Sequence, residues 1–405
     1  MNENPEDAAL VYAFAAVTIN LTHLSWHLNG DVTAQMEDLI QRCLIAHRQV
    51  DQGQGKGVLS ELSISVKRII TCIFLEICLM AFRSFNRSFT ILREGITMVQ
   101  TLHVSLYKRE DTKFDRREVA RRQRLYWECF IHERFVSIMS GHPSILPPLS
   151  TGLPYPDLSI PSSVELGFRR LIQLFRIMDD SFLSFWDAQQ NGDGVVSGLT
   201  AEWIEQKQSE LDRDELDAAE DEQRSVEAGG AGMTELQQAD LFVTRLWMRT
   251  LIWQLALSRG LLRTTPSETC HAGLSLHFPA QRLSAQLRSV VSRLQSFASI
   301  GTQGSGILQK LFEITSTVAD VLALPPPPPS TPSVSGNQSV YAHEDATARM
   351  EDFVYIVLFL FRFERISKQE RDYMRDKLEA LRQLYTMVDF HDLASSPMAY
   401  HNTGV

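Results

Sequence analysis

The chain has 405 residues, 44% of them hydrophobic and 22% charged, which is too apolar for a disordered tail and enough for one large or several ordinary domains. Acids outnumber bases 49 to 39, a net charge of −10, so the overall field does not draw the chain onto nucleic acid. Only 21 glycines and 16 prolines punctuate it, so elements are long and collagen-like and low-complexity classes drop out.

The start, MNENPEDAAL, is acidic and polar and carries no signal-peptide pattern. Over 32–50, Val32, Met36, Leu39, Ile40, Cys43, Leu44, His47 and Val50 fall on one wide helical face, which Gly53, Gly55 and Gly57 bring to an end. Spacing predicts further helices over about 61–85, 90–106 and 115–139. The most apolar window, 69–82, has Glu76 in its middle and falls short of the roughly 20 residues a bilayer crossing needs. It reads as a buried central helix, with no membrane contact. Six prolines then make 141–161 extended and rigid.

Helical pattern resumes over about 163–189, 239–262, 280–297 and 306–324. No sustained apolar/polar alternation appears, so the predicted fold class is all-α: a multi-helix body with mobile acidic and Pro-rich linkers. The acidic linker is placed at about 207–234, because 210–227 holds nine acids against two arginines and runs into Gly229, Gly230 and Gly232. A Pro/Ser-rich spacer follows at 325–345. The aromatic-rich segment 346–388 is expected to form a helical pair docking back on the body, ahead of a flexible tail at 389–405.

Little of the chain suggests chemistry. Cys43, Cys72, Cys78, Cys129 and Cys270 lack disulfide or zinc-module spacing and are expected as reduced, mostly buried thiols. Cys72 and Cys78 sit about 240° apart around a helix and would not converge on one ion. His23 and His27 share a helical face with Asp31, but Gly30 is expected to end that helix, which favours structural histidines. The segment 187–198 imitates a calcium loop, yet Gly198 stands where the bidentate Glu is needed, so it reads as a turn. GTQGSG at 301–306 lacks the Lys and Ser/Thr of a phosphate loop and reads as a helix connection. Lys113, Arg116, Arg117, Arg121, Arg122 and Arg124 form a basic cluster, read first as a solvated helix half whose charges acids on a neighbour hold. No nucleophile, metal set or cofactor loop emerges, so no catalytic residue, cofactor or metal is expected and the chain does not read as an enzyme.

One stretch points further. RRQRLYWECFIHERF at 121–135, followed by Ser137, Gly141, Pro143, Leu146 and Pro147, resembles the middle homology domain of fungal binuclear zinc-cluster transcription factors. ILREGITMVQ at 91–100 is similar to that family's preceding helix, and QKLFEI at 309–314 with Val318, Ala319, Asp320 and Val321 to the closing helices of one branch. The resemblance spans about 12–324 and marks Arg121, Arg122, Trp127, Arg134, Gly141 and Pro143 as a structural signature. Trp127, Phe130, Ile131 and Phe135 are expected to pack on the helix at 61–85, with the arginines at the rim.

The resemblance implies a regulatory domain at 1–324, in the nucleus, controlling a metabolic or secondary-metabolite gene set by changing shape. The six cysteines of the family's DNA-binding module are not in this sequence, so zinc would enter only with an N-terminal cluster and this chain is expected to make no direct DNA contact. The implied partners are other transcription regulators or a zinc-cluster DNA-binding partner, with a small-molecule effector and dimerisation as further options. The family's Gly-Arg-Pro loop is Gly141-His142-Pro143 here, so that arginine's role does not carry over. The alternative is a helical small-molecule-sensing or scaffold protein with no role in transcription.

Overall fold

Capping chemistry fixes where the first helices begin. In the computed structural model, which describes residues 4–23, 28–51, 63–102, 115–192, 198–264, 270–293, 305–324 and 338–385, α1 (Pro5–Thr22) starts where Asn4 accepts from the Glu6 amide. Asn29 caps α2 (Gly30–Gln49), and Ser65 caps α3 (Val66–Ala81) through the Arg68 amide. Arg83 takes a left-handed φ of 56°, and the chain turns there into α4 (Phe85–Thr101). Two expectations change. Gly30 opens α2 instead of ending α1, which stops at Thr22, so the expected shared face is interrupted after His23; His27 lies outside the described residues. The helix expected over 61–85 begins at Val66 and its neighbour starts at Phe85.

Helix α5 (Arg116–Ser140) ends where Gly141 adopts φ 68° and returns its amide to the Ser137 carbonyl. After the extended loop come α6 (Ser162–Arg176) and α7 (Asp180–Asn191), which sequence spacing merges into one helix. The break is at Asp179, whose carboxylate accepts from Ser181 Oγ and the Phe182 amide and so starts a new helix. The calcium-like segment is divided accordingly: Asp187 and Asn191 pair along α7, and 193–197 lie outside the described residues.

The expected acidic linker is the main correction. Residues Ala201–Glu227 form a 27-residue helix, α8, capped by Thr200. Its buried face, Ile204, Lys207, Gln208, Leu211 and Asp214, keeps helical spacing, and arginines from neighbouring helices pair with four of its acids, Asp212, Asp214, Glu215 and Asp221. Arg170 of α6 donates to Asp214 Oδ1 at 2.7 Å, while Arg245 donates to Oδ2 at 3.1 and 2.6 Å. Arg249 reaches Asp212 and Glu215. A charge run judged by its own segment looks solvated; three cations supplied from elsewhere in the chain make it an interface. Both Arg245 and Arg249 lie on α9 (Glu235–Ser258), opened by a Thr234/Gln237 capping box and buried on nearly every side by Leu246, Trp247, Met248, Leu251 and Ile252.

Beyond it, α10 (Ser284–Arg293) follows a short π-turn at Pro279–Leu283, and α11 (Ser305–Leu322) packs against α9. Gly306 thus belongs to a helix, whereas 301–304 of the glycine-rich stretch lie outside the described residues. Helix α12 (Gln338–Phe361) begins within the expected spacer, whose remainder, 325–337, is outside the described residues, as is the tail from 386. With α13 (Lys368–Tyr385) it forms a pair whose Met350, Phe353 and Val357 are buried, and Tyr385 donates to the Leu322 carbonyl at 2.8 Å. Thirteen helices and no named strand occur among the described residues: the fold is all-α.

Candidate functional site

The signature stretch works as a strap. Gln123, Tyr126, Trp127, Phe130, Glu133 and Arg134 recur at three- and four-residue spacing along α5, so they share a face, and that face binds the backbone of the Pro-rich loop. Six prolines keep the loop from satisfying its own carbonyls and amides in a helix, so side chains must do it. Gln123 accepts from the Tyr155 amide at 3.0 Å and donates to Thr151. Tyr126 donates its hydroxyl to the Pro147 carbonyl at 2.8 Å, and Trp127 its indole N–H to the Gly152 carbonyl at 3.1 Å. Burial pushes the Tyr126 phenol up to about 12, so it stays a donor.

The two buried charges hold the loop's first half. Glu133, 1% exposed, accepts from Ser144 Oγ at 2.7 Å, the Ile145 amide at 2.9 Å, the Leu146 amide at 2.8 Å and Arg93 Nη1 at 2.8 Å. Arg134, equally buried, donates to the carbonyls of Met178 and Leu146 and lies over the Phe130 ring at 3.5 Å. Burial pulls its guanidinium down to about 10, and Glu133 opposes that shift.

Of the signature residues, Trp127, Arg134, Gly141 and Pro143 meet here: Arg93 of α4 reaches the Pro143 carbonyl, and His142 stacks on Phe89 at 3.9 Å. Arg93 of α4 thus braces the loop at Pro143. Arg121 and Arg122 instead pair with Glu118 on their own helix. Arg124 pairs with Glu165 as expected and Arg117 comes within 4.0 Å of Asp157, whereas Arg116 lies over the Tyr155 ring; Lys113 lies outside the described residues. The expected packing face divides. Trp127 turns to the loop, Phe135 meets Trp247 of α9 at 5.6 Å, and α4 is the more extensive helical neighbour of α5 than α3. Gln123, Tyr126 and Glu133 were not singled out from sequence, because their partners are loop backbone groups that no motif displays.

The C-terminal end of α5 opens on a cleft of about 1010 Å³ between α3, α4, α11 and the turn joining α12 to α13. Met80, Phe135, Val136 and Met139 give it an apolar floor, and its rim mixes Arg83, Lys368, Arg371 and Arg375 with Glu364 and Glu370, the last paired with Arg83 at 2.7 Å. A second groove of about 650 Å³ shares Met139, Ser140 and Gln309 and presents Gln190, Asn191, Gln254 and Thr317. Glu313 lines it too, its carboxyl pushed up by burial while Trp247 donates to it at 2.9 Å. Such an apolar floor with a few convergent polar groups suits a small-molecule ligand.

Residues 69–171, which run from α3 through the strapped loop into α6, match the fungal specific transcription factor domain. The chain is 22% identical over 297 residues to the probable sucrose utilization protein of Candida albicans, covering 72% of this chain and 52% of that one. It is also 22% identical over 320 residues to the maltose fermentation regulatory protein of Saccharomyces cerevisiae, covering 76% of this chain and 59% of the other. The chain therefore spans between half and three fifths of the length of the curated relatives it matches. No solved structure matches it. The strapped helix-and-loop unit is thus the part of this chain that is similar to a fungal specific transcription factor domain.

Proposed function

We propose that the chain regulates transcription of a fungal metabolic gene set from the nucleus, through a helical regulatory domain whose cleft takes a small-molecule effector. The observation that carries this is one of position: the matched domain ends α5 and begins its loop at the mouth of the cleft, so occupancy there bears directly on the strap. An effector can shift such a packing equilibrium only by its differential affinity for the two arrangements. The relatives' names favour sugar utilization over secondary metabolism as the pathway class. DNA contact is assigned to a zinc-cluster partner or another transcription regulator, and this reading gives the cleft no resident cofactor. Among the described residues no helix is long and apolar enough to cross a membrane, which accords with this reading.

Deleting the gene and profiling transcripts on several carbon sources tests the proposal. A coherent set of metabolic transcripts should change on at least one source. An unchanged profile, with the protein shown to be present in the parent strain, would favour the alternative of a sensing or scaffold protein outside transcription.

A further inference from the structure

Three side chains far apart in sequence converge where α2, α3 and α4 meet. His47 Nε2 lies 3.9 Å from Cys72 Sγ and 2.7 Å from Glu94 Oε1, and one donor atom from each of the three falls within 4.8 Å of the others. Cys72 and His47 are buried, while Glu94 is about a third exposed at 37% and gives the cluster a path to solvent. The approach is close: a Cβ on Gly95 would sit 3.1 Å from the Cys72 Cβ, tighter than ordinary contact, so glycine eases the approach of α4 that brings Glu94 alongside the thiol.

We propose that His47, Cys72 and Glu94 form a binding site for a borderline-soft divalent metal of the zinc type, stapling α2, α3 and α4. Zn–S near 2.3 Å and Zn–N near 2.0 Å put tetrahedral sulfur and nitrogen ligands about 3.5 Å apart, within a few tenths of an ångström of the His47–Cys72 spacing. The Glu94 oxygen must move out by roughly half an ångström, which a part-exposed side chain does by rotation. One sulfur, one nitrogen and one oxygen donor exclude magnesium and calcium, which take oxygen shells.

Charge balances as well. Binding displaces the Cys72 proton to solvent and forms the metal–sulfur bond, His47 ligates as neutral imidazole, and thiolate plus carboxylate cancel a divalent cation with no change of oxidation state. The nearby Arg68 guanidinium is neutralised independently by a two-pronged contact to Asp51 at 2.6 and 3.0 Å. Its contact with Glu94 is the longer, at 3.3 Å, and falls on Oε1. Without a metal, the imidazole and carboxylate still form a hydrogen-bonded network with Arg68, but Cys72 has only the 3.9 Å approach to His47, so the thiol is the diagnostic ligand. The site is separate from the cleft and stands whether or not the chain regulates transcription.

Titrating the metal-free full-length chain with Co²⁺ tests it. The expected result is a thiolate-to-cobalt charge-transfer band that saturates at one equivalent, is displaced by Zn²⁺, disappears in Cys72→Ser and persists in Cys129→Ser and Cys270→Ser. A folded wild-type chain with no such band, or a band that survives Cys72→Ser or vanishes in Cys270→Ser, overturns the site. Should Cys72→Ser fail to fold by circular dichroism, Glu94→Gln decides: a Co²⁺ midpoint raised tenfold or more supports the site, and an unmoved midpoint overturns it.

Discussion

Replacing Glu133 with glutamine probes the strap with almost no change of shape. The carboxylate takes four donors, two of them the Ile145 and Leu146 amides, and is buried where no water replaces it. An amide keeps one acceptor oxygen and turns an NH₂ group toward donors, so about two charge-assisted bonds are lost and Arg93 loses its buried counter-charge. Hydrogen bonds to charged groups contribute about 1.5–3 kcal/mol each, and breaking a buried ion pair from one side costs about 3–5 kcal/mol. These overlap, so the expected cost is about 3–4 kcal/mol, concentrated in the loop. Hydrogen exchange at the Ile145 and Leu146 amides reads it directly, since a loss of about 3 kcal/mol accelerates exchange roughly a hundredfold. Glu118→Gln, which removes only the half-exposed pairs to Arg121 and Arg122, should cost about 0–1 kcal/mol and leave those amides protected. Unchanged protection in Glu133→Gln would refute the view that this side chain holds the loop.

Two further outcomes follow from buried charge. Asp214→Ala removes the carboxylate shared by Arg170 and Arg245 and should destabilise the α6–α8–α9 contact by about 3–5 kcal/mol, seen as a lowered urea midpoint; a midpoint equal to that of the exposed Asp38→Ala would contradict α8 as an integral helix. His132 is raised from 6.5 to about 9: burial opposes its charge, but Glu76 at 2.7 Å and Glu128 outweigh that, with Lys310 acting against them. Because the folded pKa lies above the unfolded one, this stabilisation is complete below pH 6.5 and fades as pH rises through about 9. Melting temperature measured across that window should fall more steeply for wild type than for His132→Gln; equal slopes would count against the assignment.

What the sequence shows and what it hides divide along a physical line. Helix faces such as Met36, Ile40, Cys43, Leu44 and His47 depend on local spacing and are found buried as spaced. The Trp127–Arg134 stretch is legible because its motif is contiguous, and Gly141 because a helix end needs a left-handed residue. The acidic helix α8 misleads because Arg170, Arg245 and Arg249 arrive from other helices, so its net charge in isolation says little about its surroundings. Asp179 caps the start of α7, just beyond the end of α6 at Arg176, through bonds that also recruit Lys207 from α8, which apolar periodicity does not register. The His47–Cys72–Glu94 cluster is invisible for the same reason, since its members are brought together only by the crossing of three helices.

The most direct measurement of the central claim uses a reporter. The full chain, fused to a heterologous DNA-binding domain, should change reporter output, and that output should vary with carbon source. Filling the cleft with Met139→Trp should hold output at one level across all sources, because the effector's place is taken. Output indistinguishable from the DNA-binding domain alone on every source, with the fusion folded and abundant, would contradict the account.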